Sequence, residues 1–299
     1  HFFAYFLALI SKLFGYQPLA FQLLTWIVIA IIDILIFLIS QKIFKKSSHA
    51  LISTTFFVLL SVPLLINGLW YDLIQTPFII ASVYFFYNFL KNPKSKKFLF
   101  WTSLFLTIAF FIKQQVAWLI IWSSLVFLVR FGIKSKVIIF ENFRIFLPVI
   151  IIFLLHLLFF ISQNLLTDFL FWTVYFPFFK ASSLPGYLLL PNTRQLLTVA
   201  ILFLIFSPLA LAKKNDLKFF VTSAAALLLF AYPRFDYFHL IPSLAVLSLA
   251  FPENIAKAKK SKVLMTIFII GLLILGAFTI RYLSRNWTRE IRFFEANIF

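Results

Sequence analysis

The segment 232–242, which reads YPRFDYFHLIP, carries three ionisable residues within six positions of an otherwise apolar stretch of chain. Arg234 offers a planar guanidinium that matches phosphate oxygens, and His239 can donate a hydrogen bond to the same group. Asp236 can orient either of them. Because ionisable groups beside membrane spans commonly mark a substrate or ion site, the segment predicts a binding site for an anion, most simply a phosphate.

Two other interpretations of this segment stay open. It can be an interfacial turn, in which Pro233 breaks a helix and the Tyr and Phe rings lie at headgroup level. Arg234 can also make a purely structural ion pair, either with Asp236 or with Asp72, which follows an earlier apolar run.

A second polar group, Lys113 with Gln114 and Gln115, interrupts two short apolar runs. A cation between helices that barely reach the membrane surface is costly, so it should face a polar cavity. The alternative is that the Lys113 side chain extends to the lipid headgroups, which lysine does readily.

Other polar residues within apolar runs have weaker claims to function. Asp33 lies in the middle of WIVIAIIDILIFLI and is predicted to be a neutral, hydrogen-bonded carboxyl packed against another helix, with a site as the alternative. His156 is predicted to be a packed interior histidine. The aromatic segment 168–180 suits a helix in the outer interface, where it would wall a lipid-entry groove or serve only as an aromatic belt.

Composition decides the class of protein to which these residues belong. The chain is 63% hydrophobic and 12% charged, with a mean hydropathy of +1.03. Apolar runs of about 15–25 residues recur along the chain, and a membrane span needs roughly 20. The sequence therefore predicts an all-α fold, a polytopic transmembrane helix bundle of about ten spans that forms a single integral membrane domain over 1–299.

The ten predicted spans leave a short interfacial helix at 2–16 and the segment 163–195 outside them. Their approximate bounds are 18–40, 49–66, 73–90, 98–112, 116–129, 145–162, 195–212, 217–231, 237–251 and 263–280.

Basic residues give the predicted orientation. On one side of these spans the loops hold eighteen Lys and Arg, and on the other they hold five, apart from a mixed tail after residue 280. The richer side is assigned to the cytoplasm, which places Asp72, Lys113 and the segment 232–242 on the outer face. The net charge of +18 is thus explained by topology, and nucleic acid is not predicted as a partner.

Sequence motifs for several kinds of chemistry are absent from the chain. Six glycines form no phosphate-cradling loop, no cysteine is present, and the four histidines are scattered. We predict no metal, no cofactor and no nucleotide-driven reaction.

The chain resembles the multi-spanning GT-C glycosyltransferases, of the type that includes protein O-mannosyltransferases and the aminoarabinose transferase of lipid A. Three stretches carry the resemblance: HFFAYFLALISKLFGYQPLAFQLL at the start, FFIKQQ around Lys113 and Gln114, and YPRFDYFHLIPSLAVL, in which Arg234 and Tyr237 precede a proline at a span start.

The resemblance implies an enzyme that takes a sugar from a polyprenyl-phosphate carrier on the outer face of the cell membrane. Its partners would be membrane lipid, this lipid-linked donor and an acceptor of unknown kind, a glycan, lipid or protein. The family's catalytic carboxylate lies in the first outer loop, so we expect it upstream of His1, in a segment missing from the start of this chain. Asp72 lies in a different loop and is a poor substitute for that base.

A transporter or flippase of a lipid-linked or anionic substrate is the alternative function. Transporters often show internal repeats with paired broken helices. Neither is visible in this sequence, so the glycosyltransferase is favoured.

Overall fold

The computed structural model describes residues 2–61, 69–132, 136–180, 183–184, 188–206, 215–232 and 234–252, and between 262 and 284 all but 264, 267–268, 275, 278–279 and 282–283. The chain is all-α, as predicted. Its principal helices are α1 (Phe2–Phe14), α2 (Pro18–Phe44), α3 (Ser47–Ser61), α4 (Tyr71–Lys91), α5 (Lys96–Ile112), α6 (Ala117–Phe131), α7 (Lys136–Ser162), α8 (Leu166–Leu170), α9 (Thr193–Phe206), α10 (Asn215–Leu227) and α11 (Ile241–Ser248).

Helix α4 lies at the centre of the bundle and packs against α2, α5, α10 and α11. Its core residues Ile79, Ile80 and Phe86 are fully buried. By contrast, α2 exposes much of its apolar surface, including Trp26 and Ile34. Apolar side chains on the outer surface are the expected arrangement when lipid rather than water surrounds a helix bundle.

Three segments among the described residues are long and apolar enough to cross a membrane: Pro18–Phe44, Tyr71–Lys91 and Gln114–Phe131. The other predicted spans coincide with shorter apolar helices or lie partly outside the described residues. The total of about ten spans therefore stays a prediction. Helix α7 extends beyond the sixth predicted span on its N-terminal side, since it begins at Lys136 and continues through Pro148 to Ser162, and its apolar part, Leu147–Ser162, coincides with that span.

The connection between α10 and α11 positions the polar segment found in the sequence. Two 3-10 turns, Leu228–Ala231 and Tyr237–Leu240, flank an extended stretch around Phe235. The backbone N–H of Phe235 donates to the carbonyl oxygen of Leu189 at 2.8 Å, which ties this stretch to the loop before α9. The predicted helix break at Pro233 falls on a residue outside those described.

The aromatic segment is helical, as expected. Helix α8 continues directly into a π-helix, Phe171–Lys180, on which Trp172, Tyr175 and Phe179 are exposed. Large exposed rings on a short helix suit a membrane interface, and the position of this helix in the outer interface remains a prediction.

Candidate functional site

Three helix ends meet at one end of the bundle, and each contributes one ionisable side chain. Asp72 lies in the first turn of α4, where a carboxylate also interacts favourably with the helix dipole. Lys113 occupies the extended connection after α5, and His239 belongs to the 3-10 turn before α11. The alternation of basic loops predicts that these three positions lie on the same side of the membrane, and their contact agrees with that prediction.

The three side chains form a closed triangle of polar contacts. Lys113 Nζ lies 2.9 Å from Asp72 Oδ1 and 2.7 Å from Oδ2, so the ammonium group bridges both carboxylate oxygens. His239 Nδ1 lies 2.8 Å from Asp72 Oδ2 and 3.0 Å from Lys113 Nζ. Gln75, one turn along α4, donates from Nε2 to Asp72 Oδ1 at 3.1 Å. We call Asp72, Lys113 and His239 the polar triad.

The protonation of His239 decides how many donors Lys113 keeps for a ligand. If Nδ1 carries the proton, His239 donates to Asp72, and one N–H of Lys113 remains after two are given to the carboxylate. If Nδ1 is unprotonated, it accepts that third N–H instead. The tautomer of His239 therefore determines whether the third N–H of Lys113 is available to a ligand.

Burial strengthens the electrostatics of the triad. Asp72 is 1% exposed and the Lys113 side chain 18% exposed. Burial lowers the pKa of Lys113 from its ordinary value, because leaving water disfavours the ammonium form, while the Asp72 charge and its hydrogen bond oppose that shift. An ion pair with two hydrogen bonds in such a setting is held in one geometry and is costly to break.

Two aromatic rings lie on the His239 side of the triad. Trp70, at the N-cap of α4, stacks on Phe238 at 4.7 Å between ring centroids, and Phe238 lies 4.1 Å from the His239 ring. Gln75 Oε1 is buried and has no hydrogen-bond partner among the described residues. One polar atom beside Asp72 is thus left for a ligand or an ordered water.

A groove of about 320 Å³ opens beside Lys113. Most of its walls are aromatic or aliphatic, and its polar groups come from Lys113, Gln114, His156 and the Tyr71 phenol. The lining residues are Tyr71, Phe110, Phe111, Ile112, Lys113, Gln114, Phe153, His156 and Phe169. A cation at the edge of an apolar groove is complementary to an amphipathic anion, with the charge at Lys113 and the hydrocarbon among the rings.

Arg234 does not join the triad. Its Nε donates to Asp236 Oδ2 at 3.0 Å; the Arg234 side chain is 57% exposed and Asp236 is half-buried. Asp236 therefore orients Arg234, and of the two structural pairings weighed from the sequence the structure shows that with Asp236. Tyr237 packs edge-on against Phe235 at 5.6 Å between ring centroids. The expected convergence of Arg234 and His239 on one pocket is not seen, since His239 turns inward to Asp72.

The remaining polar residues agree only in part with what the sequence predicts for them. Gln115 donates from Nε2 to the Tyr232 carbonyl oxygen at 2.6 Å and so holds the α10–α11 connection near Lys113. His156 packs as expected, stacking on Phe111 with Nδ1 donating to the Ile152 carbonyl oxygen at 3.1 Å, but it also lines the groove. Asp33 Oδ1 is buried without a hydrogen-bond partner among the described residues, so the bond expected for a packed carboxyl is not found at that atom.

Asp72 and Gln75 are the members of this site that sequence reasoning missed. The sequence indicates Asp72 only as a pairing partner for Arg234 and as a poor catalytic base, because its loop differs from the one expected for that base. The available signal was its position: Asp72 and Lys113 begin and end consecutive antiparallel helices. Within the described residues, no three His, Asp or Glu side chains gather as candidate metal ligands.

Fold and site together define a helical integral membrane protein with a buried charged site next to an apolar groove. Residues 1–162 match the family model described as dolichyl-phosphate-mannose-protein mannosyltransferase. This match covers more than half of the 299 residues, so the chain belongs to that family and to the GT-C type of membrane glycosyltransferase that its sequence resembles. Neither the curated proteins nor the solved structures contain a significant match. Membership of this family favours the glycosyltransferase over the transporter.

Proposed function

We propose that the chain transfers a sugar from a polyprenyl-phosphate donor to an acceptor at the outer face of the cell membrane, with Lys113 binding the donor phosphate. The observation that carries this proposal is the position of Lys113. It is the cation of a buried ion pair and also stands at the edge of the aromatic groove.

Asp72 acts as a positioning residue for Lys113. Its two carboxylate oxygens accept from Lys113, and they also contact His239 and Gln75. A carboxylate that makes all of these contacts holds the Lys113 ammonium in one position. With Nδ1 of His239 protonated, the last Lys113 donor is free for a phosphate oxygen.

The groove then receives the apolar part of the donor next to its phosphate. Phe110, Phe111 and Phe153 supply flat apolar walls, and Gln114 at the edge can hydrogen-bond a polar group of the sugar. Arg234, exposed near the same connection, provides a second cation for the phosphate once it leaves Asp236. Tyr237 is the neighbouring phenol of that connection and belongs to the proposed donor-binding set.

The reaction itself is a displacement at the anomeric carbon. An acceptor hydroxyl oxygen forms the new bond to this carbon, and the bond from the carbon to the phosphate oxygen breaks. The polyprenyl phosphate leaves with the bonding electron pair, and the hydroxyl proton passes to a general base. Lys113 stabilises the charge that develops on the leaving phosphate.

The outer-face location is tested by the orientation of the loops. Because Lys and Arg are concentrated on one side of the spans, reporter fusions after residue 95 are expected to read as cytoplasmic and fusions after residue 185 as external. The measurement is a paired reporter, one active only inside the cell and one only outside. Inverted readings at both positions would place the polar triad on the cytoplasmic face and overturn the proposed location.

Transfer is tested with a labelled donor. The full-length protein in proteoliposomes is given radiolabelled polyprenyl-phosphate mannose together with membrane extract as the source of acceptor. The expected result is loss of label from the lipid donor and its appearance in an acid-stable product. Movement of intact donor across the vesicle membrane without sugar release would instead support the transporter.

A further inference from the structure

A second cavity, of about 680 Å³, lies at the opposite end of the bundle from the polar triad. It is bounded by the last turns of α4 and α6 and the beginning of α10. Asp72 and Lys91 mark the two ends of α4, separated by roughly 28 Å at the helical rise of 1.5 Å per residue. The cavity is therefore distinct from the proposed donor site, and its occupation can be tested apart from the transfer reaction.

Three cations surround this cavity, each from a different helix: Lys91, Arg130 and Lys218. All three side chains are exposed, and none of the described residues that line the cavity is acidic. Lys91 Nζ also lies 4.4 Å from the centre of the buried Tyr87 ring, a cation–π contact that fixes its stem along the cavity wall.

The rest of the lining is apolar. Leu125, Val126 and Val129 form one side along α6, and Val129 is among the most exposed apolar residues of the chain. Trp122 is held in place because its indole N–H donates to Ser223 Oγ at 3.2 Å. A cavity with cations at the helix ends and apolar residues toward the middle of the span matches a lipid standing with its headgroup at the membrane surface.

We propose that this cavity binds an anionic glycerophospholipid, with the phosphodiester among Lys91, Arg130 and Lys218 and the acyl chains along α6. Its volume is about twice that of the groove beside Lys113, which leaves room for a glycerophosphate headgroup with the first carbons of two acyl chains. The cavity also differs from a membrane surface that is merely rich in basic residues, because its three cations come from three helices and line the same cavity.

The test measures lipid retained by the full-length protein in phosphatidylcholine nanodiscs doped with phosphatidylglycerol. The protein is expected to enrich phosphatidylglycerol over phosphatidylcholine. Each basic side chain near the headgroup contributes about fivefold, so Lys91→Gln/Arg130→Gln/Lys218→Gln is expected to lower that enrichment roughly a hundredfold. Inorganic phosphate at millimolar concentration should not displace the lipid.

A matched control removes the same charge from the same end of the bundle. Lys42, Lys45 and Lys46 lie at the end of α2 and do not line the cavity, so Lys42→Gln/Lys45→Gln/Lys46→Gln should leave enrichment within about twofold. Equal losses in both triple variants, or no loss in the first, would overturn the site. Stronger retention of polyprenyl phosphate than of phosphatidylglycerol would overturn the choice of lipid.

The single variant Lys218→Gln covers the case in which the triple variant does not fold. Lys218 is exposed near the start of α10, and its loss should cost about fivefold in enrichment. The charge-preserving Lys91→Arg/Lys218→Arg is expected to retain the lipid. Failure of that variant together with full retention by Lys218→Gln would contradict the proposal.

Discussion

Lys113→Met is expected to lower sugar transfer by about 10²–10³-fold, the usual loss when one preorganised donor is removed from a water-excluded site. Methionine keeps the length and apolar stem of lysine but has no charge and no donor. The measurement is initial transfer rate from labelled polyprenyl-phosphate mannose, normalised to the amount of protein in the membrane. Transfer within about threefold of the wild type would remove Lys113 from the reaction.

A structural role for Lys113 is separated from a direct one by removing its partner as well. If Lys113 only balances the Asp72 charge, the double variant Asp72→Asn/Lys113→Met should regain transfer, because no buried charge is left unpaired. If Lys113 binds the donor phosphate, the double variant stays inactive. We expect the second outcome.

The pH dependence of transfer gives an independent test of the role of Lys113. Burial lowers the pKa of Lys113, so the ammonium form is lost, and transfer falls, at a lower pH than for an ordinary lysine. In Lys113→Arg the guanidinium stays charged throughout this range, so its residual activity should lack that alkaline decline. If the arginine variant lost activity at the same alkaline pH as the wild type, a group other than Lys113 would be responsible for the decline.

Arg234→Ala serves as the comparison for a cation outside the triad. Because Arg234 is exposed and bonded to Asp236, its contact with the phosphate replaces an existing ion pair, and we expect a loss of about tenfold while the protein still accumulates in the membrane. Near-normal transfer would exclude Arg234 from the donor site.

Local sequence patterns predicted most of the helices because the chain carries its apolar runs in nearly unbroken form. A cation placed between two short runs correctly indicated that Lys113 was unusual, and the charge alternation placed it with Asp72 and His239 at one end of the spans. These inferences depend on neighbours in sequence and on the cost of charge in lipid, both of which are visible in the amino-acid string.

The partners within the site were not predictable in the same way. Asp72 and His239 are 167 residues apart, and their contact depends on α4 and α11 packing side by side. Sequence proximity instead groups His239 with Arg234 and Asp236, but the 3-10 turn at Tyr237–Leu240 directs His239 inward, while Arg234 and Asp236 pair with each other nearer the surface. A turn geometry of this kind is set by packing and leaves no periodic signal.

The second large effect is expected from Asp72→Ala, on stability. The variant leaves the Lys113 ammonium buried without its carboxylate, and breaking a buried pair in this way costs about 3–5 kcal/mol. The measurement is the free energy of unfolding in mixed detergent micelles, from a denaturant titration followed by Trp fluorescence. Lys42→Gln, which removes an exposed charge at the other end of the bundle, should change it by less than about 0.5 kcal/mol.

The destabilisation of Asp72→Ala should diminish as the pH rises. Without Asp72, the contribution that raises the pKa of Lys113 is lost, and its folded-state pKa lies still further below the unfolded value of 10.5. Below the folded-state pKa both states carry the proton and the full cost of the buried charge is present. Between the folded-state and unfolded-state pKa values of Lys113, the unfolded state binds more protons. The free energy of unfolding of Asp72→Ala therefore rises with pH in this range, and its difference from the wild type becomes smaller.

The double variant Asp72→Leu/Lys113→Met tests whether the unpaired charge causes the instability, because an apolar pair of similar volume often replaces a buried ion pair without loss of stability. We expect its free energy of unfolding to return to within about 1 kcal/mol of the wild type and to lose the pH dependence of Asp72→Ala. A double variant as unstable as Asp72→Ala would show that Asp72 supports the helix ends through Gln75 and His239 rather than through its charge on Lys113. Recovered stability without transfer would show that the bundle folds without the ion pair, whereas binding of the donor phosphate requires Lys113.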